Sequence, residues 1–413
     1  MAEHNLMTDD LLRQLIGVGR VDLLIGVPRP EEPDTAAALI RAVHACFRAQ
    51  FHRSRSALLY VDDQPSADGR ALVQRLWEQD ASARGGLRTT HLVTATAPGP
   101  EHDGVAARLI VTAAELLQAR AVVVLDPDAG DLTPERIAML AAPLADQVDL
   151  VAPVHPRAAD EGLLVTQLLR PLTRAIYGGD LREPLLPEFG ASARLAAHCA
   201  QFEVDVAQSR THYWIAAEAL AGTFTVRQAA LGSRRTSAGA RGGLPALFLQ
   251  VVSSVFSSIE TTSRRWLTRA GQALPDVNVG GAATAHHGPD GAKVLQTFAD
   301  DLSNLDEILR RILQPETHAA LKDAGAEPGP ALPDRLWARV VAEFLLAYRH
   351  HVILRDHTVK ALLPLYIGRT GTFLLNQGSG SPEAVEAAVE ALCVEFEGMR
   401  STIVERWAQP AER

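Results

Sequence analysis

Apolar positions in the first 155 or so residues alternate between two periods. Thr8-Asp9-Asp10 reads as a helix N-cap with acidic first-turn residues, and Leu11, Leu12, Leu15 and Ile16 follow at helical spacing. Val21 to Val27 is a mostly apolar strand stopped by Pro28 and Pro30. Asp34-Thr35 then open a helix through Ala37, Leu39, Ile40, Val43 and Phe47. Ser56 to Val61 predicts a second strand, closing on Asp62-Asp63 and the turn-rich Gln64 to Gly69, with a helix through Leu72, Val73 and Leu76 beyond it. Thr90 to Thr94 is a third strand, Gly104 to Ala119 a helix, and Ala121 to Leu125 a fourth strand. Thr133-Pro134-Glu135 starts another helix with a capping residue and a first-turn proline, and Val148 to Val154 is a fifth strand. Strands alternating with helices at this spacing imply right-handed βαβ units and a parallel sheet.

The rest of the chain has a different texture. Mixed structure extends to about Ser233. Ser233 to Gly243 holds three arginines, three glycines and no apolar residue larger than alanine, the composition of a mobile loop. Positions 269 to 292 are rich in Gly, Ala, Pro and His and read as a connector. From Lys293 onward the pattern is helical, broken at Gly325 to Pro333 and at Gly378 to Pro382. The expected division is an N-terminal helix (1–19), a nucleotide-binding α/β domain (20–265), a connector (266–292) and a helical C-terminal region (293–413).

Composition narrows the class. The 413 residues are 47% hydrophobic and 22% charged, ordinary for a soluble globular protein, and suffice for one large or two medium domains. Net charge is −9 with no basic stripe, so nucleic acid is not the expected partner. Cys46, Cys199 and Cys393 lie far apart and form neither a ligand pair nor a disulfide framework, which fits a reducing cytoplasm. The polar N-terminus lacks the apolar core of a signal peptide. Leu244 to Ile259 is the most apolar run, but its four serines and Gln250 make it too short and too polar to span a bilayer.

The chemistry concentrates in Val122-Val123-Val124-Leu125-Asp126-Pro127-Asp128. A short apolar run reads as a strand buried on both faces, and Pro127 cannot continue its ladder. The two carboxylates then stand at the C-terminal edge of a parallel sheet, where open α/β folds bind ligands. Two hard oxygen donors there suit magnesium or manganese carrying a diphosphate. The same residues also fit a plain strand followed by an acidic turn, and Asp62 alone reads as a turn residue. Other polar groups read first as structural: His286-His287 as a solvated loop, His350-His351 as a surface pair with an acceptor contact for one of them as the alternative, Arg355-Asp356-His357 as a helix-end ion-pair cluster with dimerisation or catalysis as alternatives, Trp214 and Trp337 as core or interface anchors, and Arg108 as part of a solvated helix face with a phosphate contact as its alternative.

Several segments, in order, resemble the glucosylglycerate synthase branch of retaining GT-A glycosyltransferases, which is related to mannosylglycerate synthase. They are Leu24-Ile25-Gly26-Val27-Pro28 with Asp34-Thr35; Asp126-Pro127-Asp128 with Leu132 to Glu135; Asp149 to Pro153; Arg170 to Gly178 with Phe189-Gly190; Trp214 to Gly232; and, in the helical part, Ala347-Tyr348, Arg355-Asp356-His357, Leu363 to Thr370, Leu392-Cys393 and Glu395-Phe396-Glu397. The resemblance implies a GT-A domain followed by helices. It implies transfer of a sugar from a nucleotide-sugar donor to a small hydroxy-acid such as glycerate, with retention of configuration. A divalent metal would bridge Asp126 and Asp128 to the diphosphate. Pro28, Asp34 and Asp62 would lie against the nucleoside, and Gly104 and Asp126 against the rest of the donor; Arg234, in the arginine-bearing loop and outside the family pattern, is a candidate to neutralise the diphosphate. The helical region would carry a homodimer contact.

The departures from that pattern fall at the positions that carry chemistry. Where relatives have Gly-Lys-Gly, this chain has His102-Asp103-Gly104-Val105, so the lysine near the diphosphate is absent. Gly-Gly-Asp-Phe-Gly is here Leu186-Pro187-Glu188-Phe189-Gly190, and the Asp of Asp-x-Trp is His212. Glu188 and His212 therefore stand where the acceptor-side catalytic groups are expected. The metal-ligating histidine aligns with Thr236, and Arg234, Arg235 and Arg241 crowd the same loop. Two functions stay open on the residues: an active glycosyltransferase with an altered donor or acceptor, and a catalytically degenerate relative that binds or scaffolds a partner.

Overall fold

The computed structural model describes residues 7–30, 32–62, 67–83, 90–97, 103–129, 132–201, 211–233, 243–269, 271–277, 298–326, 332–378 and 380–409. In chain order its elements are α1 (Asp9–Val18), β1 (Leu23–Pro28), α2 (Pro33–Ala49), β2 (Ser56–Asp62), α3 (Ala67–Ala83), β3 (Thr90–Thr96), α4 (Asp103–Leu116), β4 (Ala121–Val124), α5 (Pro134–Ala141), β5 (Leu150–Val154), α6 (Arg170–Tyr177), β6 (Phe189–Ser192), α7 (Ala193–Ala200), α8 (Tyr213–Ala221), β7 (Val226–Ala230), α9 (Gly243–Thr261), α10 (Ser263–Trp266), α11 (Phe298–Ile312), α12 (Pro315–Ala326), α13 (Asp334–Arg349), α14 (Arg355–Gln377), α15 (Pro382–Gly398) and α16 (Arg400–Trp407).

Two compact units are present, and neither is continuous in sequence. The first comprises Met1–His155, Leu185–Ala238 and Pro275–Val279; the second comprises Pro156–Pro184, Gly239–Leu274 and Gly280–Arg413. A linear reading does not provide this division, because Arg170–Tyr177 and Gly243–Thr261 belong with the C-terminal helices.

The first unit is built on a seven-stranded sheet in the order β3-β2-β1-β4-β6-β5-β7. β3, β2, β1 and β4 are mutually parallel, and β5 is parallel to β7. The expected parallel sheet is present, with one exception: β6 runs antiparallel to both β4 and β5. The cause is connectivity: β5 leaves the sheet at Val154 and the chain re-enters at Phe189 at the same end, so no crossover carries it back to the other edge. The inner strands β1, β2, β4, β5 and β6 are buried on both faces, as the runs of Leu, Ile and Val in β1, β2 and β4 require, whereas the edge strands β3 and β7 are only partly buried. On one face Leu39, Ile40, Val43 and Phe47 of α2 pack with Ile137 and Leu140 of α5 over Ile25, Leu58 and Val123.

Local signals mostly hold. Thr8 caps α1 by accepting from the Leu11 N–H (3.2 Å), and Thr133 caps α5 by accepting from Arg136 (3.3 Å). The Gln14 amide then pairs with the backbone of Thr94 in both directions at 3.1 Å, satisfying the exposed edge of β3. α3 begins at Ala67, inside the segment expected to be a turn through Gly69. At the N-terminal end of β5, buried Asp149 accepts from Ser192 Oγ (2.7 Å), the Thr225 N–H (2.9 Å) and Arg194, pinning β5, β6 and β7 together.

The second unit is helical. Arg170 forms bonds to both Asp180 and Glu386, and Arg174 reaches Glu390 and Glu397, so α6 is held to α15 by paired charges. Trp337 is a core anchor, fully buried and donating from Nε1 to Gln167 O (2.6 Å). Arg355 belongs to an ion pair with Glu260 that Arg349 shares. The apolar run expected to be too short for a membrane forms a 19-residue helix, Gly243–Thr261. By length and composition it is apolar enough to cross one, and 50% of its apolar window is buried within the protein.

Candidate functional site

The C-terminal edge of the parallel strands gathers residues from distant parts of the chain. β1 ends at Pro28, which stands in register with Val61, and β2 ends at Asp62 in register with Thr96. Asp62 is fully buried, and its carboxylate lies 3.7 Å from Arg29 Nε. β4 ends at Val124. The Leu125 N–H still donates to Gly26 O (2.9 Å), after which Pro127 turns the chain out of the sheet. Asp126 is 5% exposed and its Oδ1 accepts from the Asp128 N–H at 3.0 Å, while Asp128 itself is exposed. The turn thus holds one carboxylate at the sheet and lifts the other into solvent. Gly104 is buried in the first turn of α4, and Asp34 is exposed in the first turn of α2.

Next to Asp126 in the sheet comes β6, whose first residue, Phe189, pairs with Val124. Glu188 immediately precedes it, so the antiparallel register continued by one residue sets it beside Leu125, one strand away from the Asp126 turn. Glu188 is 1% exposed. Its Oε1 is bonded at 2.8 Å to Nε2 of His155, which follows the last residue of β5. The other ring nitrogen, Nδ1, is 2.9 Å from the carbonyl of Gly232, just beyond β7. A carbonyl cannot donate, so Nδ1 carries a proton and Nε2 meets the carboxylate. Arg136 on α5 donates to Ser233 O (3.0 Å), holding the same stretch from a second side.

Glu188 is legible in the sequence through the segment it shares with Phe189-Gly190, and His155 is not. The only local signal was an imidazole at a strand end, Pro153-Val154-His155-Pro156.

His212 lies behind this edge. It is buried at the start of α8, and Nδ1 donates to the carbonyl of Leu186 at 2.6 Å. Its ring meets Phe189 edge-on, 5.6 Å between centroids. Leu186 is fully buried with φ +49°. That is a left-handed conformation which a leucine adopts at a cost of about 1–2 kcal/mol, and a residue before proline normally avoids it. The strained turn Leu186-Pro187 aims Glu188 into the sheet edge, and the His212 bond holds it. His212 therefore contacts the backbone of this turn.

Arg234, Arg235, Thr236 and Arg241 lie outside the described residues. Among the described residues no group of three or more His, Cys, Asp or Glu side chains is placed to hold a metal ion. Asp126 and Asp128 offer two carboxylates. That number suits magnesium, which keeps waters and shares its sphere with substrate phosphates, and is too few for a self-sufficient protein cage.

No protein-family model matches the chain, and no curated protein matches it. Among solved structures it is similar to glucosyl-3-phosphoglycerate synthase from Mycobacterium tuberculosis in complex with manganese, uridine diphosphate and phosphoglyceric acid. The identity is 17%, covering 62% of this chain and 84% of that one, with a TM-score of 0.42. The same enzyme with magnesium and uridine diphosphate gives 18% identity, 62% and 85% coverage and a TM-score of 0.43. Mannosyl-3-phosphoglycerate synthase from Rubrobacter xylanophilus gives 20% identity, 63% and 80% coverage and a TM-score of 0.41. Likeness at this level assigns no activity to the chain.

Proposed function

We propose that the chain moves a sugar from a nucleotide-sugar donor to a small polar acceptor, with retention at the anomeric carbon. One observation carries the reading: the Asp126-Pro127-Asp128 turn stands at the C-terminal sheet edge, one strand from the buried Glu188–His155 pair. That edge is where open α/β sheets take their ligands. The resemblance to the glucosylglycerate synthase branch runs through Asp126, Asp128 and the segment around Glu188.

In this reading Pro28, Asp34 and Asp62 serve the nucleoside half of the donor. Gly104 leaves room for the diphosphate at a helix start, and Arg234 adds positive charge there. Asp126 and Asp128 would hold magnesium or manganese arriving with the diphosphate. When bound, the metal would neutralise charge that builds on the leaving diphosphate. During transfer the bond from the anomeric carbon to the diphosphate oxygen breaks, its electron pair staying on the diphosphate. The acceptor oxygen bonds to the same face of that carbon, and its proton passes to the leaving diphosphate. Glu188 supplies a buried carboxylate on the acceptor side, and His212 holds the turn that presents it.

A second reading, a non-catalytic binding protein, is favoured by one observation, the departure from the family pattern at four chemical positions, His102 to Val105, Leu186 to Glu188, His212 and Thr236. UDP-glucose, ADP-glucose and GDP-mannose, each offered with glycerate or 3-phosphoglycerate and manganese or magnesium, separate the two. Release of nucleoside diphosphate, with the donor's anomeric configuration kept in the product by NMR, supports transfer. No release from any pair, together with melting temperatures unmoved by nucleoside diphosphates, supports the second reading. Nucleoside diphosphate at a hundred times its Kd should stabilise by about 2.7 kcal/mol. Asp128→Ala should abolish the metal-dependent part of that gain while the ligand-free protein melts near the parent, because Asp128 is exposed. Equal stabilisation with chelator and with manganese would remove the metal from the proposal.

A further inference from the structure

We propose that His155 is a positioning residue for the transfer: it fixes Glu188 through one ring nitrogen and the end of β7 through the other, so that Glu188 Oε2 is presented to a hydroxyl of the bound ligand. This rests on the glycosyltransferase reading. Three observations carry it. First, both ring nitrogens are engaged at short range, Nδ1 with Gly232 O at 2.9 Å and Nε2 with Glu188 Oε1 at 2.8 Å, so the imidazole has one orientation. Second, the Nε2–Oε1 bond needs one proton. Whether nitrogen or oxygen owns it, the pair is neutral as a whole and Oε1 is committed. Third, Glu188 Oε2 is shielded from solvent and accepts a hydrogen bond from none of the described residues. A buried acceptor left unmatched is unfavourable, and a hydroxyl donor supplied by the ligand removes that cost.

The frame is rigid, which is what positioning requires. His155, Glu188 and Gly232 each lie within two residues of a strand end, on β5, β6 and β7. The Gly232–Ser233 stretch is also tied to α5 through Arg136. A merely structural role, fastening three strand ends, predicts something different from a positioning role, and two substitutions separate them. Asparagine can place an amide nitrogen where Nδ1 stands, keeping the Gly232 contact and releasing Glu188. Glutamine can place one where Nε2 stands, keeping Glu188 and releasing Gly232.

The experiment measures kcat and both KM values for parent, His155→Asn, His155→Gln and Glu188→Gln, using the donor–acceptor pair that the parent turns over, with thermal melts alongside. His155→Gln should keep most of the parent's kcat. His155→Asn should lose about tenfold or more, the range typical for removing the outer partner of a reactive group, and Glu188→Gln should fall with it. Whichever KM rises in Glu188→Gln, donor or acceptor, identifies the molecule that carries the hydroxyl. A folded His155→Asn with the parent's kcat overturns the proposal, as does equal activity of the Asn and Gln variants. If His155→Asn fails to fold, the other two variants decide: a Glu188→Gln loss of about tenfold or more with His155→Gln near the parent upholds the proposal, and an unchanged Glu188→Gln or an equal loss in His155→Gln overturns it. A parent that turns over no donor overturns the glycosyltransferase reading itself, a different outcome from an active parent whose variants are unaffected.

Discussion

Replacing His212 by aspartate, the residue expected there from the resemblance, should damage this protein. His212 Nδ1 donates to Leu186 O at 2.6 Å in a buried setting, and Leu186 is held at φ +49°. An aspartate oxygen in that place meets a carbonyl oxygen. The variant loses a hydrogen bond worth about 1 kcal/mol and leaves a buried carbonyl unmatched at about 1–3 kcal/mol. Asparagine can turn its amide nitrogen to the carbonyl and avoid both costs. Both substitutions forfeit the edge contact with Phe189, about 0.5–1.5 kcal/mol. His212→Asp should therefore be about 2–4 kcal/mol less stable than His212→Asn. For units of 150–250 residues, 1 kcal/mol moves Tm by about 2–4 °C, so the two variants should melt about 5–15 °C apart. Circular dichroism melts and urea titrations of parent and both variants read this directly. Coincident midpoints for Asp and Asn would show that the bond to Leu186 does not hold the turn, and the account of how Glu188 is aimed would fall with it.

Two further outcomes follow from the same edge and its opposite end. Gly190→Ala would place a Cβ inside van der Waals contact with the carbonyl oxygen of Leu140, part of the α5 backbone that cannot swing aside; the variant should lose about 1–3 kcal/mol in urea titrations, and a parent-like midpoint would refute the close approach. Asp149 is pushed up by burial, yet its bonds to Arg194, the Thr225 N–H and Ser192 together take it below its usual 3.8. The stability it contributes is present above pH 3.8 and is lost as pH falls through the lower folded value. Asp149→Asn should thus melt below the parent at pH 7 and converge with it in acid, and a gap unchanged down to pH 3 would refute that sign.

Legibility differed from residue to residue, for physical reasons. Apolar runs ending in Pro or Asp located β1, β2 and β4, because a strand buried on both faces must be continuously apolar and a proline at or beyond its end cannot donate to the ladder; β5 was legible from its apolar run alone, with Pro153 inside it in register with Ala229. That alone put Asp62, Asp126 and Asp128 at strand ends. Caps at Thr8 and Thr133 were equally readable, since an N-cap is a contact between near neighbours. What stayed hidden needed distant parts of the chain. β6 is four residues, Phe189–Ser192, too short to carry a period, and its direction was set by where the chain re-entered the sheet. His155 sits within two residues of a proline-flanked strand end, with nothing local to distinguish it. Its role exists only because β5, β6 and β7 bring residues 155, 188 and 232 to one edge. The left-handed Leu186 is likewise a tertiary decision: local preference disfavours it before Pro187, and burial together with the His212 bond overrides that preference. Local chemistry determined where strands stop and which carboxylates end them; only the three-dimensional fold decided which of those groups meet.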